Sequence, residues 1–189
     1  MKKLLALLLV AVMIVSCCGA TLTAKKKEPE PTESPTEFQF PEIDNEKPAA
    51  EYSEGETRAV LAISLGMVKL SDQWGDVEFD WLTRILDDGT FRVDLVIPSV
   101  GLKSSETRFH QPGADPDGWQ TIVEFLQEMS TTLYDSVLVP NGLEDQSVLV
   151  VLNNDIVASP TKTLAEVVDG EVLYDFVNEI DLRQEDPEN

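Results

Sequence analysis

This sequence contains few of the histidine and cysteine side chains that most often act as base and nucleophile near neutral pH. The 189 residues include one histidine, His110, and two cysteines, Cys17 and Cys18. A serine or cysteine hydrolase needs a base within hydrogen-bond reach of its nucleophile, and a histidine-rich zinc site is excluded by this count. His110 stands alone in a loop that leads to Pro112 and Gly113, so we expect it to be structural or solvent-facing. The sequence therefore predicts no catalytic residue, no cofactor site and no metal site.

Carboxylates are abundant, and they give the chain a strong negative charge. There are 35 Asp and Glu residues against 14 Lys and Arg residues, so the net charge is -21. Residues 115–118 and 153–155 contain oxygen ligands of the kind that calcium prefers, but neither run has the spacing and distal glutamate of a calcium-binding loop. We interpret both as turns or helix caps. A surface of this charge repels phosphate groups, so no binding to nucleic acid is expected.

Cys17 lies at the end of an apolar N-terminal run. Lysines at positions 2 and 3 precede the uncharged residues 4–15, a pattern typical of a secretory signal. The run is too short for a transmembrane helix, which needs about 20 apolar residues. It ends in Ile14-Val15-Ser16-Cys17, which resembles the lipobox of bacterial lipoprotein precursors.

This resemblance implies that residues 1–16 are removed as a signal peptide and that Cys17 becomes the lipidated N-terminus. One acyl chain anchors a protein only marginally, so the two or three chains that the family carries would hold it durably. The protein is then expected on the extracytoplasmic side of a bacterial membrane, attached through the lipid on Cys17. Ordinary secretion with cleavage after Ala20 is the alternative, and it discards both cysteines. No cysteine follows Cys18 in the sequence, so no disulfide is expected in the mature domain.

The region after the lipobox-like motif divides into a linker, a domain and a tail. Residues 17–53 lack hydrophobic periodicity and are rich in proline and glutamate, a composition that cannot offset chain entropy by burial. We therefore predict a flexible linker there. Residues 54–180 are numerous enough for one hydrophobic core, so we predict a single globular domain. Residues 181–189 are predicted to be a charged tail.

The first predicted helix covers residues 56–70. Ser53 and Glu56 have the spacing of a capping box, which places the start of the helix. We expect its apolar stripe to be largely covered. The predicted stripe consists of Val60, Leu61, Ser64, Leu65 and Val68, with Ile63 and Met67 widening it. Because Gly66 weakens the helix, a strand over residues 60–65 is the alternative.

Two β-hairpins are predicted from segments in which apolar residues alternate with polar ones. Residues that face each other across a hairpin must lie on the same side of the sheet, a rule that we call parity. In the first hairpin, over residues 76–97, parity requires a three-residue loop with Gly89 in the left-handed conformation. In the second, over residues 163–177, parity allows a two-residue turn at Asp169 and Gly170. The pairs expected are Ile85 with Phe91 and Trp81 with Leu95 in the first hairpin, and Val167 with Val172 and Ala165 with Tyr174 in the second.

The remaining elements complete an α+β fold. A second helix over residues 117–137 has an apolar stripe that places Trp119 in the core, and residues 148–152 are apolar throughout, as in an interior strand. The order α-β-β-α-β-β-β predicts a two-layer sandwich, a mostly antiparallel sheet with both helices on one face. The opposite, open face is expected to carry a mixed-charge surface, either solvated or a contact face. Its charged members are Asp80, Arg84, Arg92, Asp94, Glu171 and Asp175.

The function predicted from these features is that of an extracytoplasmic, lipid-anchored binding or accessory protein of the bacterial cell envelope, without catalytic activity. Its partner, beyond the membrane itself, is an unidentified protein or small molecule. The alternative is a small envelope hydrolase that uses carboxylates of the open sheet face. Among 35 acidic residues, paired carboxylates are expected by chance, so no pair is singled out.

Overall fold

The computed structural model describes residues 38–74, 79–98, 100, 109, 116–156, 159 and 161–183. The predicted signal peptide, Cys17, His110 and residues 184–189 of the predicted tail lie outside these ranges. The described helices and strands lie in the second of two units of the chain, residues 40–189. Among the described residues, no helix has the length and apolar character needed to cross a bilayer.

Two α-helices and one six-stranded sheet form the described part of the second unit, which confirms the predicted α+β fold. The sequence predicted five strands, and the sixth is the two-residue strand Ile180–Asp181, at the start of the predicted tail. Both helices lie on one face of the sheet. The strands are arranged in chain order, and all neighbours are antiparallel except β2 and β3, which are parallel and are joined through α2. The elements are α1 (Glu54–Trp74), β1 (Asp80–Ile85), β2 (Phe91–Val96), α2 (Pro116–Leu133), β3 (Val148–Asn153), β4 (Thr163–Val168), β5 (Glu171–Asp175) and β6 (Ile180–Asp181).

The first hairpin has the predicted register. Ile85 lies opposite Phe91 and Trp81 lies opposite Leu95. Gly89 has a φ of 90°, a conformation that side chains with a Cβ rarely adopt, and this closes the three-residue loop. The rule that facing residues share one side of the sheet therefore identified both the loop length and the pairing.

The second hairpin has the predicted two-residue turn. Asp169 and Gly170 both have positive φ, 47° and 88°, as a tight hairpin turn requires. Val167 lies opposite Val172, as predicted. A Cβ atom at Gly170 would lie 2.5 Å from Oγ1 of Thr131 on α2, so the helix also requires glycine at this position.

Beyond this turn the predicted register is wrong by one residue. Ala165 lies opposite Asp175 and not opposite Tyr174, because an irregularity between Glu166 and Val167 shifts the pairing. A shift of one residue moves a side chain to the other face of a sheet. Asp175 therefore points toward the helices.

The hydrophobic core lies between the sheet and α2. Trp119, near the start of α2, is only 2% exposed, which confirms its predicted place. Its indole Nε1 donates to both carboxylate oxygens of Asp175, at 2.9 and 3.1 Å, so the ring is buried without leaving its polar atom unpaired. The other buried apolar residues of α2 are Val123, Leu126, Met129 and Leu133.

The start of α1 is a capping box, as predicted. The Ser53 N–H donates to Glu56 Oε2 at 2.7 Å, and the Glu56 N–H donates to Ser53 Oγ at 3.2 Å. The predicted stripe of this helix is correct for Ile63 and Met67, which are buried, and wrong for Leu61, Leu65 and Val68, which are exposed. Glu56 is itself buried and marks the side of the helix that faces inward. The residues that follow Glu56 at helical spacing are the buried ones: Ala59, Ile63, Met67 and Leu70.

Candidate functional site

The carboxylate of Asp94, which is 0% exposed, bonds two arginines of the predicted polar face, Arg84 and Arg92. Arg84 and Arg92 lie opposite each other on β1 and β2, and Asp94 follows on the same face of β2. Arg84 Nη2 donates to Asp94 Oδ2, and Arg92 Nη2 donates to Oδ1 at 2.9 Å. Asn153 Nδ2, on the neighbouring β3, donates to Oδ1 at 3.0 Å. We call these four residues the Asp94 cluster.

A segment before α1 contacts this cluster. Arg84 Nη1 donates to the carbonyl of Pro41 at 2.8 Å and lies 3.6 Å from Glu46 Oε2. Backbone hydrogen bonds at the end of β1 join Lys47 to Ile85 and Asp87 to Asn45, each 2.8 Å long. We call residues 40–53 the strap. The sequence placed the strap in the linker, whereas the compact unit of the structure begins at residue 40.

A second ion pair joins the strap to α1. Lys47 Nζ donates to both carboxylate oxygens of Glu56, at 2.9 and 3.0 Å, and the Ser53 N–H donates to the same carboxylate. Burial alone would raise the pKa of Glu56, but the Ser53 and Lys47 hydrogen bonds, with a weaker one from Gln146, bring that pKa below its ordinary value. The ionised form of Glu56 is therefore stabilised by folding.

Glu56→Gln is expected to make the stability of the protein less sensitive to acid. A carboxylate with a lowered pKa contributes stability that is present above its unfolded-state pKa and is lost as the pH falls through the folded-state value. The stability difference between wild type and Glu56→Gln should therefore be largest near neutral pH and should shrink below about pH 4. Urea unfolding of both proteins between pH 7 and pH 3 measures this difference.

The matched control for this experiment is Glu54→Gln, on the exposed side of the same helical turn. Its effect at neutral pH should stay within about 0.5 kcal/mol, as is usual for exposed positions. A Glu56→Gln difference that stays constant down to pH 3 would contradict the assigned pKa direction.

The predicted polar face is not a single surface. Asp80 and Glu171 are exposed, as predicted, but they lie on different strands, β1 and β5. Asp175 was placed on this face by simple alternation, and that is wrong because of the register shift in β5. Its carboxylate is 1% exposed and accepts hydrogen bonds from the indole of Trp119 and from the backbone and side chain of Asn178. Asp175 therefore stabilises the turn after β5.

The middle of this face is buried, which differs from the open face that the sequence predicted. Val96, Val151 and Asn153 are at most 3% exposed there, together with Asp94. The wholly apolar run in β3 is consistent with a strand that is covered on both sides. The carboxylate of Asp94 has two arginines and an asparagine as donors, so it acts as the structural centre of the cluster.

The turn at residues 153–155 is stabilised by the side chain of Asn154. Asn154 Oδ1 accepts the backbone N–H of Ile156 at 3.1 Å, and Asn154 Nδ2 donates to the carbonyl of Thr161, so this side chain supports the predicted turn. Burial raises the pKa of the neighbouring Asp155. Within the residues that the structure describes, no group of three or more His, Cys, Asp or Glu side chains could hold a metal ion.

A shallow depression of about 280 Å³ lies around the turn between β5 and β6. Beside it, the guanidinium carbon of Arg183 lies 3.7 Å from the ring centroid of Tyr174, a cation–π contact. Arg183 also donates to Asp181 at 2.7 and 2.8 Å and to Glu166 at 3.4 Å. The guanidinium group of Arg183 is therefore already paired with groups of the protein itself. The depression is lined by Tyr174, Asp175, Phe176, Glu179, Ile180 and Asp181.

Comparison of the chain with protein-family models, with curated proteins and with solved structures found no match.

A line of exposed apolar side chains lies on α1. Leu61, Leu65 and Val68 are 59%, 51% and 47% exposed, although the sequence pattern predicted that they would be covered. They continue a line of exposed positions separated alternately by four and three residues. We call this line the α1 stripe: Glu54, Arg58, Leu61, Leu65, Val68 and Asp72.

Contacts on the inner and the outer side of the first turns of α1 hold the helix in the rotation that exposes this stripe. Glu56 faces inward and bonds Lys47, while Arg58 faces outward and donates to Glu54 Oε1 at 2.5 Å and to Asn141 Oδ1 at 3.2 Å. Sequence reasoning missed the stripe because hydrophobicity alone does not show which of two apolar faces is buried. The burial of the capping glutamate, which depends on its tertiary contact with Lys47, distinguishes the two faces.

Proposed function

We propose that this chain is an extracytoplasmic, lipid-anchored protein of the bacterial cell envelope that binds another protein and has no catalytic activity. The N-terminal pattern that ends in Cys17 supports the anchor, and the proline-rich residues that follow it support a tether. The single observation that carries the binding role is the α1 stripe. Its apolar centre consists of Leu61, Leu65 and Val68.

The arrangement of these residues favours a protein partner. A single exposed leucine is ordinary on a protein surface, but three large apolar side chains aligned along one helix make a continuous contact line. Their spacing of four and three residues is the spacing by which one helix packs against another. Charged residues at the ends, Glu54 and Asp72, provide the polar rim that protein interfaces have.

The same charges disfavour direct contact between the stripe and a lipid surface. Helices that lie on anionic membranes carry lysine and arginine beside their apolar face. The α1 stripe has one basic residue, Arg58, against two acidic ones, Glu54 and Asp72, and the whole chain has a net charge of -21. The lipid on Cys17 is therefore the proposed membrane contact, and the stripe is the proposed protein contact.

The arrangement of carboxylates favours this proposal over an envelope hydrolase. A hydrolase of the kind considered above needs two carboxylates that can face a substrate together. Asp94 is fully buried and bonded to two arginines, and Asp175 is buried on the other side of the sheet. Asp80 and Glu171 are on separate strands.

Photo-crosslinking in living cells tests the binding role. We expect the full chain with benzoylphenylalanine at Leu61 to give a discrete protein adduct on irradiation, because Leu61 is the most exposed apolar residue of the stripe. The same probe at Glu128, an exposed position of α2, is the matched control and should give none. Absence of protein adducts from Leu61 and also from Leu65 would overturn the proposed binding role.

A further inference from the structure

We infer that the partner on the α1 stripe is a second copy of this chain, with the two α1 helices antiparallel. This inference rests on the proposed binding role of the stripe. The first argument is that the stripe is complementary to itself. Leu65 lies at its centre, with Leu61 on one side and Val68 on the other. Antiparallel pairing about Leu65 places Leu61 of each copy beside Val68 of the other, so the six apolar side chains form one cluster.

The charged ends of the stripe decide the direction of pairing. In an antiparallel pair centred on Leu65, Arg58 lies beside Asp72 of the second copy, and this contact occurs twice. In a parallel pair, Arg58 would face Arg58, and Asp72 would face Asp72. Opposite charges across an interface fix its orientation, and like charges exclude the wrong one. The third charged position, Glu54, would lie beyond the end of the opposing helix in the antiparallel arrangement.

The molecule presents the stripe in a form that needs no rearrangement. The opposite side of α1 is anchored by the buried residues Ala59, Ile63 and Met67. Arg58 is held by Glu54 and by Asn141, which lies in the turn Val139–Asn141 after α2. A preformed surface loses little side-chain entropy on binding, which favours association.

The size of the contact indicates a weak dimer that depends on tethering. One pair of helices buries less than the roughly 1,200–2,000 Å² of a standard stable interface. Two copies of net charge -21 also repel each other. Attachment through Cys17, as proposed above, would confine both copies to one membrane and raise their effective concentration. The pairing is therefore expected in the membrane-anchored protein.

The pairing is tested by exchanging the charges of Arg58 and Asp72 in the full chain that carries benzoylphenylalanine at Leu61, with irradiation in cells. Wild type should give an adduct of twice the chain mass that contains only this chain. Asp72→Arg turns two attractive contacts into repulsive ones and should lower the dimer yield about tenfold. Arg58→Asp should act similarly, but it also removes the bonds to Glu54 and Asn141, so Asp72→Arg is the cleaner variant.

Restoration distinguishes specific pairing from damage to the fold. The double variant R58D/D72R exchanges the two charges and should recover the dimer to within about twofold of wild type. Co-expression of R58D with D72R, each with its own epitope tag, should give the mixed dimer, because every contact in that pair is again attractive. Equal yields from all variants, or no restoration, would overturn antiparallel self-pairing. An adduct with a different protein would overturn self-pairing and leave the binding role intact, while no protein adduct at all would overturn both.

Discussion

Replacing Asp94 with leucine is expected to lower the free energy of unfolding by about 3–5 kcal/mol. Leucine keeps the branching of aspartate at Cγ, and the change removes the charge and the hydrogen-bond acceptors. Arg84, which is 5% exposed, and Arg92 would then both lose their buried counter-charge. An uncompensated buried charge costs far more than a missing surface ion pair. Urea unfolding of the detergent-solubilised chain, followed by tryptophan fluorescence, measures the loss.

Two comparisons isolate the cause of this destabilisation. Glu171→Leu removes an exposed carboxylate from the same predicted face and should change stability by about 0.5 kcal/mol or less. The triple variant R84M/R92M/D94L replaces the paired charges with apolar groups and should recover most of the loss, since a buried ion network often contributes little net stability. A loss below 1 kcal/mol for Asp94→Leu would mean that the two arginines find other partners.

The parts of the fold that were predicted correctly are those set by local patterns. The first hairpin was fixed by parity and by Gly89, and its observed pairs are the predicted ones. Trp119 was placed in the core by the wide apolar stripe of α2, and it is buried. These signals lie within a few residues of the structure that they specify, so no tertiary information was needed to interpret them.

The errors arose where tertiary contacts choose between local alternatives. The segment of α1 has apolar residues on most of its circumference, and the strap decides which side is covered through the Lys47–Glu56 ion pair. In β5, the one-residue irregularity moves Asp175 to the helix side, where it accepts the indole N–H of Trp119. Neither a helix rotation nor a register shift of this kind changes the local sequence pattern.

The charged cluster was predicted in part. Alternation along β1 and β2 correctly placed Arg84, Arg92 and Asp94 on one face. Their mutual bonding could not be predicted, because it requires Asn153 from a parallel neighbour and the backbone carbonyl of Pro41 from the strap. Contacts through backbone atoms carry no residue-type signal, so the sequence did not predict these contacts of the proline-rich segment.

Cys17→Ser is expected to abolish lipid attachment to the chain. The N-terminal apolar run is too short to remain as a membrane span, and Ile14-Val15-Ser16-Cys17 supplies the thiol to which the lipid would be transferred. A serine hydroxyl is a much weaker nucleophile than a thiolate. We therefore expect complete loss of labelling by a clickable fatty acid, no cleavage before position 17, and a shift of the protein out of the membrane-anchored mature form.

The adjacent Cys18 provides the matched control for this loss. Cys18→Ser should leave both fatty-acid labelling and membrane partition unchanged, because Val15-Ser16-Cys17 before position 18 matches the lipobox less well than Ile14-Val15-Ser16 before position 17. Labelling that survives in Cys17→Ser and disappears in Cys18→Ser would move the anchor by one residue. A wild-type protein that is wholly soluble, with Thr21 at its N-terminus, would show that the chain is a secreted acidic protein and not a lipoprotein. The membrane confinement that favours pairing of α1 would then be absent.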